Sequence, residues 1–187
     1  MIRPLVADAI RVLTQWNPPT PAAAALRRRV LGFLAEHPDA DQRDQRAGHL
    51  TASTLILDDA RERVLLTLHP MAGRWFQLGG HLEARDTSVA DAAAREAAEE
   101  SGIGGLIGHR GPIGLDWHAV TCRDSAGSPG PSSHVDLEYL AVAPPDAQPR
   151  ITDESLDLAW WPLDALPDGA DEVVRGLVRR ARTLGLA

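Results

Sequence analysis

Three carboxylates, Glu96, Glu99 and Glu100, crowd the segment REAAEE, and a glycine pair, Gly79–Gly80, precedes it. At about 100° per residue the three fall within one arc of a helix. Like charges at this spacing repel by roughly a few tenths of a kcal/mol per exposed pair. Arg95, one turn before Glu99, offsets part of this. Partial burial raises the cost, and the acids then stay ionised only with a cation among them. Clustered oxygens suit hard divalent ions, Mg²⁺ or Mn²⁺, and Mg²⁺ adds waters and substrate phosphates to its shell. The plain alternative is a solvated, salt-bridged helix, since Ala, Arg and Glu all favour helix. The glycines before and after the segment favour the metal.

That helix should begin near Ser88, where Asp91 completes a capping-box pattern, and end at Gly102, Gly104 and Gly105. Ala90, Ala94 and Ala98 recur every four residues opposite the acids. They are expected to pack on a sheet while the acidic face looks into a cleft. Strands are expected at 51–58 and 63–69, with DDARE as the turn between them. Further strands fall at 112–122 and 134–143, joined by the loop RDSAGSPGPSS, and at 156–163, with a closing helix at 171–183. Helices at 4–15 and 22–36, split by NPPTP, open the chain. The polar run EHPDADQRDQRAGH divides a helical extension, 1–47, from a main domain, 48–187. This order predicts a mixed α/β or α+β domain.

With its glycines, the stretch resembles the signature of the Nudix hydrolases. That pattern runs Gly, five residues, Glu, seven residues, Arg-Glu, an aliphatic residue, any residue, Glu-Glu, any residue, Gly, and an aliphatic residue. Gly80 opens it here, and Arg95 to Ile103 closes it with a match at every position. Two departures stand out: Asp86 holds the first acidic position, and eight residues, not seven, separate it from Arg95. The extra residue falls in a loop and should shift Asp86 without disturbing the helix. Asp86 then reads equally as a loop or capping residue and as a support behind the metal ligands.

The resemblance covers roughly residues 50–166. It implies an α/β/α sandwich with a mixed sheet, and Mg²⁺-dependent hydrolysis of a diphosphate linkage. The substrate class would be a nucleoside diphosphate linked to another group, or a related small phosphorylated metabolite. By position, Glu99 and Glu100 resemble the main metal ligands, Glu96 a further ligand or the base, and the Gly79 carbonyl a backbone ligand. Arg95 would orient the carboxylates. A downstream acid often joins them, and Glu154, six residues before Trp160, is the candidate, with Asp153 second. Glu83 could reach the metal through water.

The remaining candidates concern the substrate. His69, His81, His118 and His134 fall near the expected cleft, and imidazoles can bond phosphate or a base. Their spacing matches no known metal pattern. Arg74 and Arg85 are possible phosphate clamps. Trp75 and Phe76 are expected in the core of a short strand or stacked on a ring, Trp160–Trp161 in the core, and Arg27–Arg28–Arg29 on a solvated helix face or, alternatively, in a patch that contacts phosphate or a partner. The N-terminal helices would cap the cleft or build a homodimer interface.

Composition bounds the class. The 187 residues carry a formal charge of −7, and all nineteen basic residues are Arg, which argues against a general binder of nucleic-acid duplexes. No apolar run reaches the ~20 residues that span a bilayer, and the start lacks a secretory pattern. A lone Cys122 fits a reducing cytoplasm. Two rival readings remain. One is an isoprenoid-diphosphate isomerase, which needs a Cys in a motif that Cys122 lacks. The other is a non-catalytic ligand-sensing domain, in which the acidic face should be lost.

Overall fold

The computed structural model describes residues 1–70, 72–152 and 155–187. Strand β1 (His49–Leu57) is buried at all nine positions, so both of its faces must be covered. Its side chains alternate between them. Leu50 and Ala52 enter a core beneath the helices α1 (Pro4–Gln15), α2 (Pro21–Glu36) and α3 (Val89–Ser101). Leu55 and Leu57 enter a second core with Val174, Leu177 and Val178 of α4 (Glu172–Thr183) on the other face. The expected sandwich follows from that split.

Among the described residues eight strands form one sheet. β1 pairs antiparallel with β2 (Arg63–Leu68) and β4 (Leu78–His81), and parallel with β7 (Pro129–Val142). β3 (Trp75–Phe76) and β8 (Asp157–Pro162) flank β2, while β5 (Ile107–Gly108) and β6 (Gly114–Arg123) flank β7. No helix among the described residues is long and apolar enough to cross a membrane.

Two local expectations need correction. The run RDSAGSPGPSS is mostly not loop, because β6 and β7 pair all the way from Gly114↔Glu138 to Arg123↔Pro129. Pro129 and Pro131 are tolerated because β7 meets β1 only from His134 onward, so their missing N–H groups face no second strand. Arg46 holds the hairpin tip through Asp124 and the Ser128 carbonyl, at 2.7 and 3.1 Å. The alanine stripe is also different. Ala90, Ala94 and Ala98 are exposed, whereas Val89, Ala92, Ala93 and Ala97 are buried. Val89, Ala93, Glu96 and Glu100 share one side at ~100° per residue, so Glu96 and Glu100 lie on the packing side and not opposite it, while Glu99 is exposed.

The cap expected for α3 is present. Ser88 Oγ accepts from the Asp91 N–H at 3.0 Å, and Gly102 ends the helix at φ 66°. Asp8 of α1 adds a second acceptor, for the Val89 N–H at 2.9 Å. The N-terminal helices thus brace the acidic helix, and they share its core through Val6, Leu13, Val30 and Leu34. Two arginines of the 27–29 run are engaged, contrary to a purely solvated face. Arg27 donates to the Trp16 carbonyl at 2.7 Å, and the Arg29 guanidinium sits 3.9 Å from the Trp117 ring centre.

Leu13 is fully buried in that shared core. Leu13→Ala should therefore cost about 2–5 kcal/mol, read as a lower urea midpoint. Loss of α1 alone, with the rest unfolding at the wild-type midpoint, would contradict a shared core.

Candidate active site

The alternation of β1 that buries Leu55 and Leu57 toward α4 also aims His49, Thr51 and Ser53 at the same face of the sheet. β7 contributes His134, Asp136 and Glu138 there, and β6 contributes Asp116 and His118. The register sets them side by side, with His49 opposite His134, Thr51 opposite Asp136, and His118 opposite His134. Over this polar surface opens a cleft of about 1280 Å³, whose rim includes Glu96, Glu99 and Glu100 of α3.

The glycine pair explains how the acids get there. β4 lies on β1 with Gly79 opposite Ser53 and Gly80 opposite Ala52. A Cβ on Gly79 would lie 2.5 Å from the Ser53 Cα, and one on Gly80 would lie 2.8 Å from the Glu96 carboxylate. The Glu96 carboxylate therefore rests on bare backbone. The Gly79 N–H donates to Glu100 Oε2 at 2.9 Å.

Arg95 ties the cluster together. Its Nε and Nη2 donate to both oxygens of Asp86, at 2.8 and 3.0 Å, and Nη2 also reaches the His81 carbonyl at 2.9 Å. Its Nη1 donates to Glu96 and to Glu99, each at 3.0 Å. The inserted residue has thus not removed Asp86 from the site. Asp86 is buried, accepts from the Glu83 N–H at 2.7 Å, and orients Arg95. Burial alone would raise its pKa, but the bonds from Arg95 and Glu83 outweigh that and hold it below the ordinary value. Arg95 in turn is held firmly protonated, chiefly by its bonds to Asp86.

Of the residues expected at the site, Gly79, His81, Glu83, Arg95, Glu96, Glu99, Glu100 and His134 all line the cleft. Arg74 does not, and its Nη1 reaches Asp171 at 3.3 Å. Arg85 is engaged by acids, with Nε 2.7 Å from Glu83 and Nη2 2.8 Å from Glu99. Glu154 and Asp153 lie outside the described residues. Trp75 forms a half-buried edge contact with Trp161 at 5.3 Å between ring centres, while Phe76 lines the cleft beside His69. None of residues 1–42 lines it, so α1 and α2 do not cap it; Arg43 of the following linker does line it.

Thr51, Ser53, Asp116 and Asp136 also line the cleft and were missed as site residues. The alternation His134–Asp136–Glu138 in HVDLEYL was the available signal. Asp136 accepts from Thr51 at 3.0 Å and Ser53 at 2.6 Å, yet its burial still raises its pKa. Glu138 is raised further, by burial and by Asp136, with Arg180 as its partial counterion at 3.5 Å. His118 is raised by its 2.6 Å bond to Asp116. Burial instead lowers His81 to about 3 and His134 to about 4.

This acidic set fits a hard divalent ion. It is all oxygen, it lies against side-chain-free backbone, and a cationic guanidinium already bridges two of its members.

The NUDIX domain family model matches residues 48–181. No curated protein matches the chain significantly. Among solved structures, a NUDIX-family hydrolase from Clostridium perfringens is 24% identical, with a TM-score of 0.53 over 73% of this chain and 97% of that one. The MutT protein from Methanosarcina mazei is 18% identical, with a TM-score of 0.53 over 75% and 97%. The E. coli dihydroneopterin triphosphate pyrophosphohydrolase is 18% identical, with a TM-score of 0.52 over 70% and 92%. At these identities the likeness is one of fold.

Two outcomes check this geometry. Gly79→Ala should destabilise more than Gly80→Ala, which should cost about 1–3 kcal/mol, because Gly79 meets backbone whereas the Glu96 side chain can turn aside; equal urea midpoints would refute the packing. His118 should titrate above its ordinary 6.5 by NMR, and Asp116→Asn should lower it. A raised histidine stabilises below the unfolded value and loses that contribution as pH rises through the folded one. The stability gap between wild type and Asp116→Asn should therefore narrow as pH rises past 6.5.

Proposed function

The chain belongs to the Nudix hydrolase family, and from that premise we propose that it cleaves the P–O–P linkage of a small diphosphate, with Mg²⁺ or Mn²⁺ as cofactor. The substrate class is a nucleoside diphosphate linked to another group, or a related phosphorylated metabolite. One observation carries the reading: Glu96 and Glu100 meet the Gly79–Gly80 backbone, with Glu99 beside them, at the rim of a large polar cleft.

Electrostatics supports a cation. Asp116, Asp136, Asp171, Glu83 and the three glutamates face the cleft, against Arg43, Arg95 and His118. A substrate carrying several phosphate charges would be repelled from so acidic a surface unless divalent ions came with it. Such an ion, when bound, would supply positive charge to offset the charge of the phosphates and of the leaving group.

The chain's own groups do the rest. Glu99 and Glu100 would hold the ion, with the Gly79 carbonyl as a further ligand and Glu154, outside the described residues, as the downstream acid that the family resemblance suggests. The Gly79 N–H fixes the Glu100 carboxylate. Glu96 adds a ligand or takes the proton of the attacking water, whose oxygen bonds to phosphorus as the bridging oxygen departs. Asp86 aims Arg95, and Arg95 sets the rotamers of Glu96 and Glu99. Arg43 and His118 stand where they can meet phosphate, with His81, His134 and Glu83 close by. Phe76 and His69 offer rings for stacking. Residues 1–47 serve as a brace for the catalytic unit 48–187, in the cytoplasm.

Phosphate release from a panel of nucleoside diphosphate derivatives tests this. Activity should require Mg²⁺ or Mn²⁺, and Glu100→Gln should lower kcat/KM by at least about 100-fold, the several kcal/mol a metal contributes. Asp86→Asn should lower it by about 10–100-fold. Hydrolysis that survives chelation or Glu100→Gln would sink the proposal.

A further inference from the structure

Beyond Thr51 and Ser53, the same sheet face ends in four side chains that diphosphate hydrolysis does not require as metal ligands. His49 opens β1, His81 closes β4, Cys122 lies near the end of β6, and His134 stands on β7. One ligand atom from each lies within 4.8 Å of every other. We infer that His49, His81, Cys122 and His134 form a Zn²⁺ site, separate from the carboxylates of α3 and independent of the hydrolase reading.

Three observations carry this. First, His81 Nε2 lies 3.2 Å from His49 Nε2 and 3.4 Å from Cys122 Sγ. Tetrahedral Zn²⁺, with bonds of about 2.0–2.1 Å to nitrogen and 2.3 Å to sulfur, sets its ligand atoms roughly 3.3–3.6 Å apart. Two edges are already near that length, and no pair need close by much more than about 1 Å.

Second, His49 Nδ1 lies 3.4 Å from the Gln45 carbonyl. Ser132 Oγ lies closer to the same nitrogen, at 3.2 Å. The carbonyl can only accept and the hydroxyl can accept as well, so Nδ1 has outer partners of the kind metal-bound histidines use, with the Nε2 lone pair then free to face the cluster. Third, His134 Nε2 is buried with no hydrogen-bond partner. A buried polar atom left unpaired is costly, and a metal would satisfy it.

The donor set also selects the ion. Imidazole and thiolate suit Zn²⁺, whereas Mg²⁺ takes oxygen. On binding, the Cys122 thiol releases its proton to solvent. His81 moves its proton from Nε2 to Nδ1, so the exposed Arg43 guanidinium, now 2.7 Å from Nδ1, gives up that contact and turns toward the cleft it lines. Four protein ligands leave no open position, as in structural zinc sites. The ion would fasten β1, β4, β6 and β7 together one residue beyond Gly80.

The full chain, stripped with a chelator and titrated with Co²⁺ under excess Mg²⁺, tests this. Cys122 is the only cysteine, so a thiolate-to-cobalt band can come from no other residue. The wild type should take up one Co²⁺ with that band and with tetrahedral visible bands, and Zn²⁺ should displace it. Cys122→Ser should lose the thiolate band. His134→Ala should weaken binding by more than the 10–100-fold that loss of an outer partner costs. A Glu99→Gln/Glu100→Gln variant should bind as the wild type does. Absence of the band in the wild type would overturn the site whatever the variants do. So would uptake lost with the two glutamates but kept in Cys122→Ser.

Discussion

The architecture turns on how little space separates strand β1 from the carboxylates of α3. Gly79 and Gly80 fill that space with backbone alone, against Ser53 on one side and Glu96 on the other. Had α3 carried its acids on a solvated face, no glycine would be needed beneath them. Because Glu96 and Glu100 share a side with Val89 and Ala93, packing the helix also presses the acids onto the sheet. Burial of the apolar residues thereby sets the position of the chemical ones, and Ser88 and Asp8 fix where the helix begins.

That arrangement concentrates negative charge where water is scarce. The fold answers it residue by residue. Arg95 lies among Asp86, Glu96 and Glu99; Thr51 and Ser53 donate to Asp136; Arg180 approaches Glu138. The compensation is incomplete for Asp136 and Glu138, whose pKa values stay raised by burial. A buried ionic group seldom stabilises a fold more than an apolar one of the same shape. Such a cluster is better understood as a polar surface kept for a ligand, at some expense in stability.

What could be read in the sequence follows the range of the forces involved. The helix of acids, its Ser88 cap and its Gly102 stop depend on residues within a turn or two, and all three were legible. The longer strands and the mixed α/β or α+β class followed from runs long enough to show their period, whereas the sandwich was implied by the family resemblance. The alanine stripe misled because periodicity fixes which residues share a face but not which face is buried. Here the glycines of β4, a separate element, decided it. Asp86 was undervalued because a one-residue insertion was counted along the chain, whereas its role depends on a bidentate reach to Arg95 through space. Gly and Pro in the run after Cys122 suggested a loop, but strand pairing on one side only made them harmless.

The histidines show the limit most clearly. His49, His81, Cys122 and His134 have no informative spacing, because strand register alone makes neighbours of them. Register also keeps two kinds of donor apart on adjoining parts of one face. Oxygen donors crowd the α3 end of β4, while nitrogen and sulfur donors gather one residue further on, past Gly80. Divalent ions sort between such sets by softness and coordination geometry more than by charge. Mg²⁺ gains little from imidazole or thiol and holds its waters, and Zn²⁺ finds its four preferred atoms only where the strands converge. One sheet can therefore present two metal chemistries side by side without either ion displacing the other, and the His81 carbonyl, bonded to Arg95 at 2.9 Å, is the link between them.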